Sequence, residues 1–142
     1  MGWIAVDLDG TLAQYGTWAG PTEIGEPIPA MVERVKKWLA DGVEVRIFTA
    51  RAYPLGYVHE HDGHELMPVD VSSQIPMAYE LLVAHSAVHA IQEWCLKHIG
   101  RRLPVTCVKD YKMYELWDDR AVQVERNTGR RMDNEPEGDT TP

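Results

Sequence analysis

The stretch Trp3-Ile4-Ala5-Val6-Asp7-Leu8-Asp9-Gly10-Thr11-Leu12 decides how the rest of the chain is read. Trp3 to Leu8 is a short apolar run that meets a carboxylate. That is the pattern of a buried parallel strand with polar chemistry at its C-terminal end. Asp9-Gly10 breaks it. From Ala13 to Pro27 the chain carries Gly16, Gly20, Pro21, Gly25 and Pro27, which predicts a loop or small hairpin. Pro29 suits the first turn of a helix. Met31, Val32, Val35, Trp38 and Leu39 then recur at three- and four-residue spacings until Asp41-Gly42 ends the helix. Val43 to Phe48 is a second strand closing on Thr49-Ala50-Arg51. Strand, helix and strand in this span make a βαβ unit and hence a parallel sheet.

Further along, Tyr53 to Pro76 is irregular and rich in Gly and Pro. A long helix is predicted within Met77 to Ile99, with Leu81, His85, Val88, Ile91, Cys95 and Ile99 as its apolar stripe and Gly100 as its stop. Leu103 to Val108 is a third strand and Tyr114 to Trp117 a fourth, ending at Asp118-Asp119. Val122 and Val124 suit a last edge strand. Residues 126–142 are polar and aperiodic, so a flexible tail is expected after a single domain of residues 1–125.

In an open α/β sheet, ligands bind beyond the carboxyl ends of the strands. Here those ends carry Asp7 and Asp9, Thr49, Lys109, and Asp118 and Asp119. Side-by-side strands bring these groups together. Several carboxylates in one crevice need a cation, and hard oxygen donors suit Mg2+. A hydroxyl and a lysine beside the metal would hold a phosphate.

Asp7-Leu8-Asp9-Gly10-Thr11-Leu12 resembles the first motif of the haloacid dehalogenase (HAD) superfamily of phosphohydrolases. Ile47-Phe48-Thr49-Ala50-Arg51 is similar to its second motif. Lys109 stands where its third motif supplies a lysine, and Trp117-Asp118-Asp119-Arg120-Ala121 resembles its fourth. The resemblance covers residues 1–125. It implies a three-layer, Rossmann-like α/β fold of the HAD type: a parallel sheet with helices on both faces, and no large cap domain. It implies Asp7 as nucleophile, Asp9 as acid and then base, and Thr49 and Lys109 on the phosphoryl oxygens. Mg2+ would be held by Asp7, the Asp9 carbonyl, Asp118 and Asp119, with Gly10, Thr11, Ala50 and Arg51 around the substrate. An acid at Asp9 disfavours carbon–halogen cleavage, because a departing halide needs no proton. Lys112 competes with Lys109, which sits nearer the third strand's end. The implied activity is hydrolysis of a small phosphorylated substrate, a nucleotide among the candidates. Phosphoryl transfer, or a non-catalytic binding module of the same fold, is the alternative.

Other residues have plainer readings. Arg51 and Arg120 read as charge partners of these acids rather than substrate contacts. Tyr15 and Trp18 could stack on a base or sugar, but packing of the flap accounts for them more simply. His59, Glu60, His61, Asp62, His64 and Glu65 offer zinc ligands without cysteines, so a solvated loop is the simpler reading. His85, His89 and His98 read as helix faces. The chain has 142 residues, 44% apolar and 25% charged, with a net charge of −8. That charge disfavours non-specific nucleic-acid binding. The start lacks the pattern of a signal peptide, and no apolar run is long enough to span a membrane. Cys95 and Cys107 lie in apolar surroundings and read as buried thiols. A cytoplasmic location is the resulting default. A homo-oligomer stays open.

Overall fold

A computed structural model of the chain describes residues 2–60 and 78–133. Its elements run β1 (Trp3–Asp7), α1 (Pro29–Ala40), β2 (Glu44–Phe48), a 3-10 turn (Ala50–Ala52), β3 (Tyr57–Val58), α2 (Ala78–His98), β4 (Val105–Thr106) and β5 (Met113–Trp117). The fold is α/β. Five strands form one sheet in the order β3-β4-β2-β1-β5. β1 lies between β2 and β5 and is parallel to both, and β4 is parallel to β2.

The sheet is mixed rather than purely parallel. Tyr57 and Val58 pair antiparallel with Thr106 and Val105. This edge pair replaces the edge strand expected at Val122 and Val124. Val124 instead pairs with Arg131. Main-chain bonds from Glu125 N to Arg130 O and from Met132 N to Gln123 O close a small hairpin there. Asn127 and Gly129 turn it, both with positive φ (67° and 80°), the backbone region that Asn and Gly tolerate best. This hairpin occupies the first residues of the polar stretch that begins at Arg126. Residues 134–142 lie outside the described part.

Alternation sorts β1 and β2. Ile4 and Val6, level with Val45 and Ile47, join one apolar cluster with Met31, Val32 and Val35 of α1 and Val88, Ile91 and Cys95 of α2. The core thus ties both helices to the same two strands. α1 begins at Pro29, whose missing N–H costs nothing in the first turn. Trp3 and Ala5 point the other way and are fully buried. The Trp3 indole donates to Asp110 at 2.8 Å, and the Arg46 guanidinium packs between the Trp3 and Tyr57 rings.

The connection from β4 to β5 holds no helix. The segment 107–112 runs from the level of Asp7 back to the level of Trp3, which pairs with Met113. This connection supplies no helix to the sheet, while α1 and α2 both join the apolar cluster of Ile4, Val6, Val45 and Ile47. Both cysteines are free thiols, with Cys95 buried and Cys107 half-buried. Burial pushes the Cys95 thiol up to about 12. No helix among the described residues is long and apolar enough to cross a membrane.

Candidate active site

The parallel register sets which side chains meet. Asp7 is level with Phe48, and Val6 with Trp117, so Asp118 and Thr49 each follow a strand end beside Asp7. A cleft of about 520 Å³ opens there. Asp7, Asp9, Thr49, Ala50, Arg51, Asp118 and Asp119 line it, together with Tyr15, Trp18 and Arg120. Gly10 and Thr11 stand behind the carboxylates, outside the lining.

Asp7, Asp118 and Asp119 each offer an oxygen within 4.8 Å of the other two. The Asp7 carboxyl is raised to about 7, first by burial and then by the Asp118 charge and the Asp119 side chain, against a smaller opposing effect of the Thr11 hydrogen bond. Three carboxylates this close repel one another, and a divalent cation among them removes that repulsion. The donors are all oxygen, half-buried or exposed, which fits a hard cation that keeps several waters. The Asp9 carboxylate is not one of the three.

Two features fix the Asp119 carboxylate. The Thr11 hydroxyl accepts from the Asp119 backbone N–H at 2.9 Å and reaches Asp119 Oδ1 at 3.2 Å and Asp7 Oδ2 at 3.3 Å. Gly10 has φ of +90°, and a Cβ on it would meet Asp119 Oδ2 at 2.5 Å. A glycine here lets the carboxylate approach the backbone.

Asp9 is held by Arg51. The guanidinium donates from Nε and Nη2 to the two carboxylate oxygens at 2.9 and 2.8 Å. Its Nη1 donates to the Gly20 and Pro21 carbonyls, and its Cζ lies 4.7 Å from the centre of the Trp18 ring. Arg51 is thus the charge partner the sequence suggests, and it also ties the flap to the sheet. A carboxylate keeps lone pairs beyond a bidentate arginine, so Asp9 can still accept a hydrogen bond from a ligand. Thr49 is buried, and its hydroxyl accepts from the Arg51 N–H at 3.2 Å as cap of the 3-10 turn. That leaves its own proton to donate into the cleft.

Lys109 is not brought to the site. It is exposed, next to Asp110, which bonds Trp3 and Arg46 from the other end of β1. Lys112 lies there too, its carbonyl accepting from Trp3 N. Neither lysine lines the cleft. Of the described cations that do, Arg51 is fully engaged. Arg120 lines the cleft and, among the described residues, bonds Asp118 through its backbone N–H while its guanidinium has no partner. Sequence reasoning placed Arg120 with Arg51 as a structural partner.

The flap aromatics also differ from expectation. Trp18 is 57% and Tyr15 50% exposed, so packing covers only part of each ring. Asp110 bonds Trp3 across 107 positions, a pairing that no local sequence pattern reveals. Its carboxyl is held below the usual range by the Trp3 indole, then by the Lys112 N–H, with Arg46 adding to both. Of the zinc candidates, His59 and Glu60 are exposed, and His61, Asp62, His64 and Glu65 lie outside the described residues. His85 is buried, with neither ring nitrogen bonded among the described residues, and burial lowers its pKa. Comparison with protein-family models, curated proteins and solved structures gives no match.

Proposed function

We propose that this protein is a Mg2+-dependent phosphomonoester hydrolase of the HAD type, working through an aspartyl-phosphate. The observation that carries the reading is the grouping of Asp7 with Asp118 and Asp119 at the end of the central strand, with Asp9 two residues on and Thr49 on the neighbouring strand. The fold that goes with it is the Rossmann-like one of that superfamily, without a helix between β4 and β5. Asp7, Asp118, Asp119 and the Asp9 carbonyl would hold Mg2+, which when bound draws negative charge off the phosphoryl oxygens and lowers the repulsion around Asp7.

The chain's own residues do the rest. An Asp7 carboxylate oxygen attacks phosphorus, and the bond from phosphorus to the ester oxygen breaks. Asp9 gives that oxygen its proton, so an alcohol leaves. Asp9, now ionised, takes a proton from water, whose oxygen attacks the same phosphorus. The Asp7–phosphorus bond breaks, and inorganic phosphate and free Asp7 result. Arg51 fixes the direction of Asp9 throughout. Thr49 donates to a phosphoryl oxygen. With Lys109 elsewhere, Arg120 supplies the cationic contact to the phosphoryl group.

The experiment is hydrolysis of p-nitrophenyl phosphate with Mg2+, with and without EDTA, for the wild type and Asp7→Asn. Turnover should need the metal and vanish in Asp7→Asn, and acid-quenched wild type should carry phosphate on Asp7. Turnover by Asp7→Asn would exclude the covalent route. A wild type that binds Mg2+ but turns over no phosphate ester would favour a binding module.

A further inference from the structure

We infer that the substrate is a free nucleotide, a nucleoside monophosphate, whose base stacks on Trp18 with Tyr15 beside it. This inference rests on the phosphatase reading and names its substrate class. Trp18 and Tyr15 line the same cleft as Asp7, and both leave half or more of their surface to water. Large aromatics kept in water at a concave polar site call for a ligand with an apolar face.

Trp18 is also held in place. Its ring lies against the Arg51 guanidinium, whose side chain is only 6% exposed and is fixed by Asp9, Gly20 and Pro21. A ring backed by an immobile cation loses little freedom when a second plane stacks on it. The same guanidinium connects the platform to the chemistry: Asp9 is on one side of it and Trp18 on another. Asp7, Asp9 and Trp18 all line the one cleft, so a phosphate at the carboxylates and a planar group on Trp18 can belong to one ligand. A bare sugar phosphate would leave the indole in water. The cleft, at about 520 Å³, lies within the ~300–1,000 Å³ of small-molecule sites. The net charge of −8 favours a free nucleotide over a nucleic-acid end, since a polyanion is repelled by a chain of the same sign.

The test compares adenosine 5′-monophosphate, ribose 5-phosphate and a 5′-phosphorylated oligonucleotide as substrates at about 0.15 M salt. Calorimetric binding of the first two to Asp7→Asn with Mg2+ runs beside it. The mononucleotide should have the highest kcat/KM. It should also bind the Asp7→Asn protein more tightly than the sugar phosphate by roughly 5- to 150-fold, the equivalent of ~1–3 kcal/mol per stacked base. Trp18→Leu should erase most of that preference through KM, and Trp18→Phe should return part of it. Equal binding of nucleotide and sugar phosphate, or a preference unchanged in Trp18→Leu, overturns the stacking while leaving hydrolysis intact. A higher kcat/KM on the oligonucleotide overturns the free nucleotide as substrate. If nucleotide binds through Trp18 but no ester is hydrolysed, the phosphatase reading falls and the base platform stands.

Discussion

Removing the Arg51 guanidinium tests the link between flap, acid and sheet. Arg51→Met keeps the length of the side chain and deletes its charge. It leaves Asp9, 23% exposed, without the fork that bonds both its oxygens. Breaking a buried ion pair by removing one partner costs ~3–5 kcal/mol, and the partial exposure of Asp9 puts this case near the low end, about 3 kcal/mol. The two carbonyls at Gly20 and Pro21 lose their donor but lie in a loop that water can reach. In a chain of this size about 3 kcal/mol lowers Tm by roughly 10 °C. Thermal and urea unfolding followed by circular dichroism measure it. Arg51→Lys should recover less than half of the loss, because an ammonium gives one contact where the guanidinium gives a planar pair. The double variant with Asp9→Asn should lose less than the sum of the singles by ~1–3 kcal/mol. A drop of under ~1 kcal/mol in Arg51→Met, or strict additivity in the double variant, would refute the coupling of Arg51 to Asp9.

Asp7 makes stability depend on pH when no metal is bound. Its carboxyl, raised from 3.8 to about 7, holds its proton more tightly in the folded state. The resulting stability is full below about pH 4 and is lost as pH rises to about 7. EDTA-treated protein should therefore show Tm falling across that window, Asp7→Asn should flatten the fall, and Mg2+ should restore Tm at pH 8; equal slopes for the two proteins would count against the carboxylate cluster. Gly10→Ala, which forces a side chain into the Asp119 carboxylate at positive φ, should cost ~1–2 kcal/mol in backbone conformation and about tenfold or more in Mg2+ affinity by calorimetry. Arg120→Ala should lower kcat/KM by about 10²-fold, with partial return in Arg120→Lys, while Lys109→Ala stays within about twofold of wild type. The opposite ranking of Lys109 and Arg120 would mean that the loop after β4 reaches the site after all.

Much of this arrangement was legible because apolar runs ending in acids carry their own meaning. Trp3 to Asp7, Glu44 to Phe48 and Met113 to Trp117 lie where apolar runs predict strands, and α1 ends at Ala40, ahead of Asp41-Gly42. Once these strands are parallel neighbours, Asp7, Thr49, Asp118 and Asp119 must share one end. What stayed hidden depends on distant pairing. Tyr57-Val58 is too short for any period, and only its pairing to β4 makes it a strand. The hairpin from Gln123 to Met132 follows from turn chemistry at Asn127 and Gly129, a signal masked by the polar composition around it. The pair Trp3–Asp110 joins positions that no local window contains.

The displaced lysine follows from the sheet order itself. β4 and β5 are parallel and three strand spacings apart, with β2 and β1 between them. At ~4.8 Å per spacing that is about 14 Å sideways, and the return from the level of Asp7 to that of Trp3 adds about 13 Å along the strands. The path from Thr106 to Met113 is thus about 20 Å, against a reach of roughly 25 Å for seven extended steps. A helix, which advances only ~1.5 Å per residue, cannot fit there. An extended crossing also carries each successive residue away from the carboxyl ends, so Lys109 and Lys112 are drawn toward the base of the sheet, where Asp110 locks the path to Trp3 and Arg46. The loop after β5 has the opposite property. It starts at the carboxyl end beside Asp7, and Arg120 is its first cation. Under the proposed reading, a short connection before the last strand therefore leaves the charge that would meet a phosphate to come from after it.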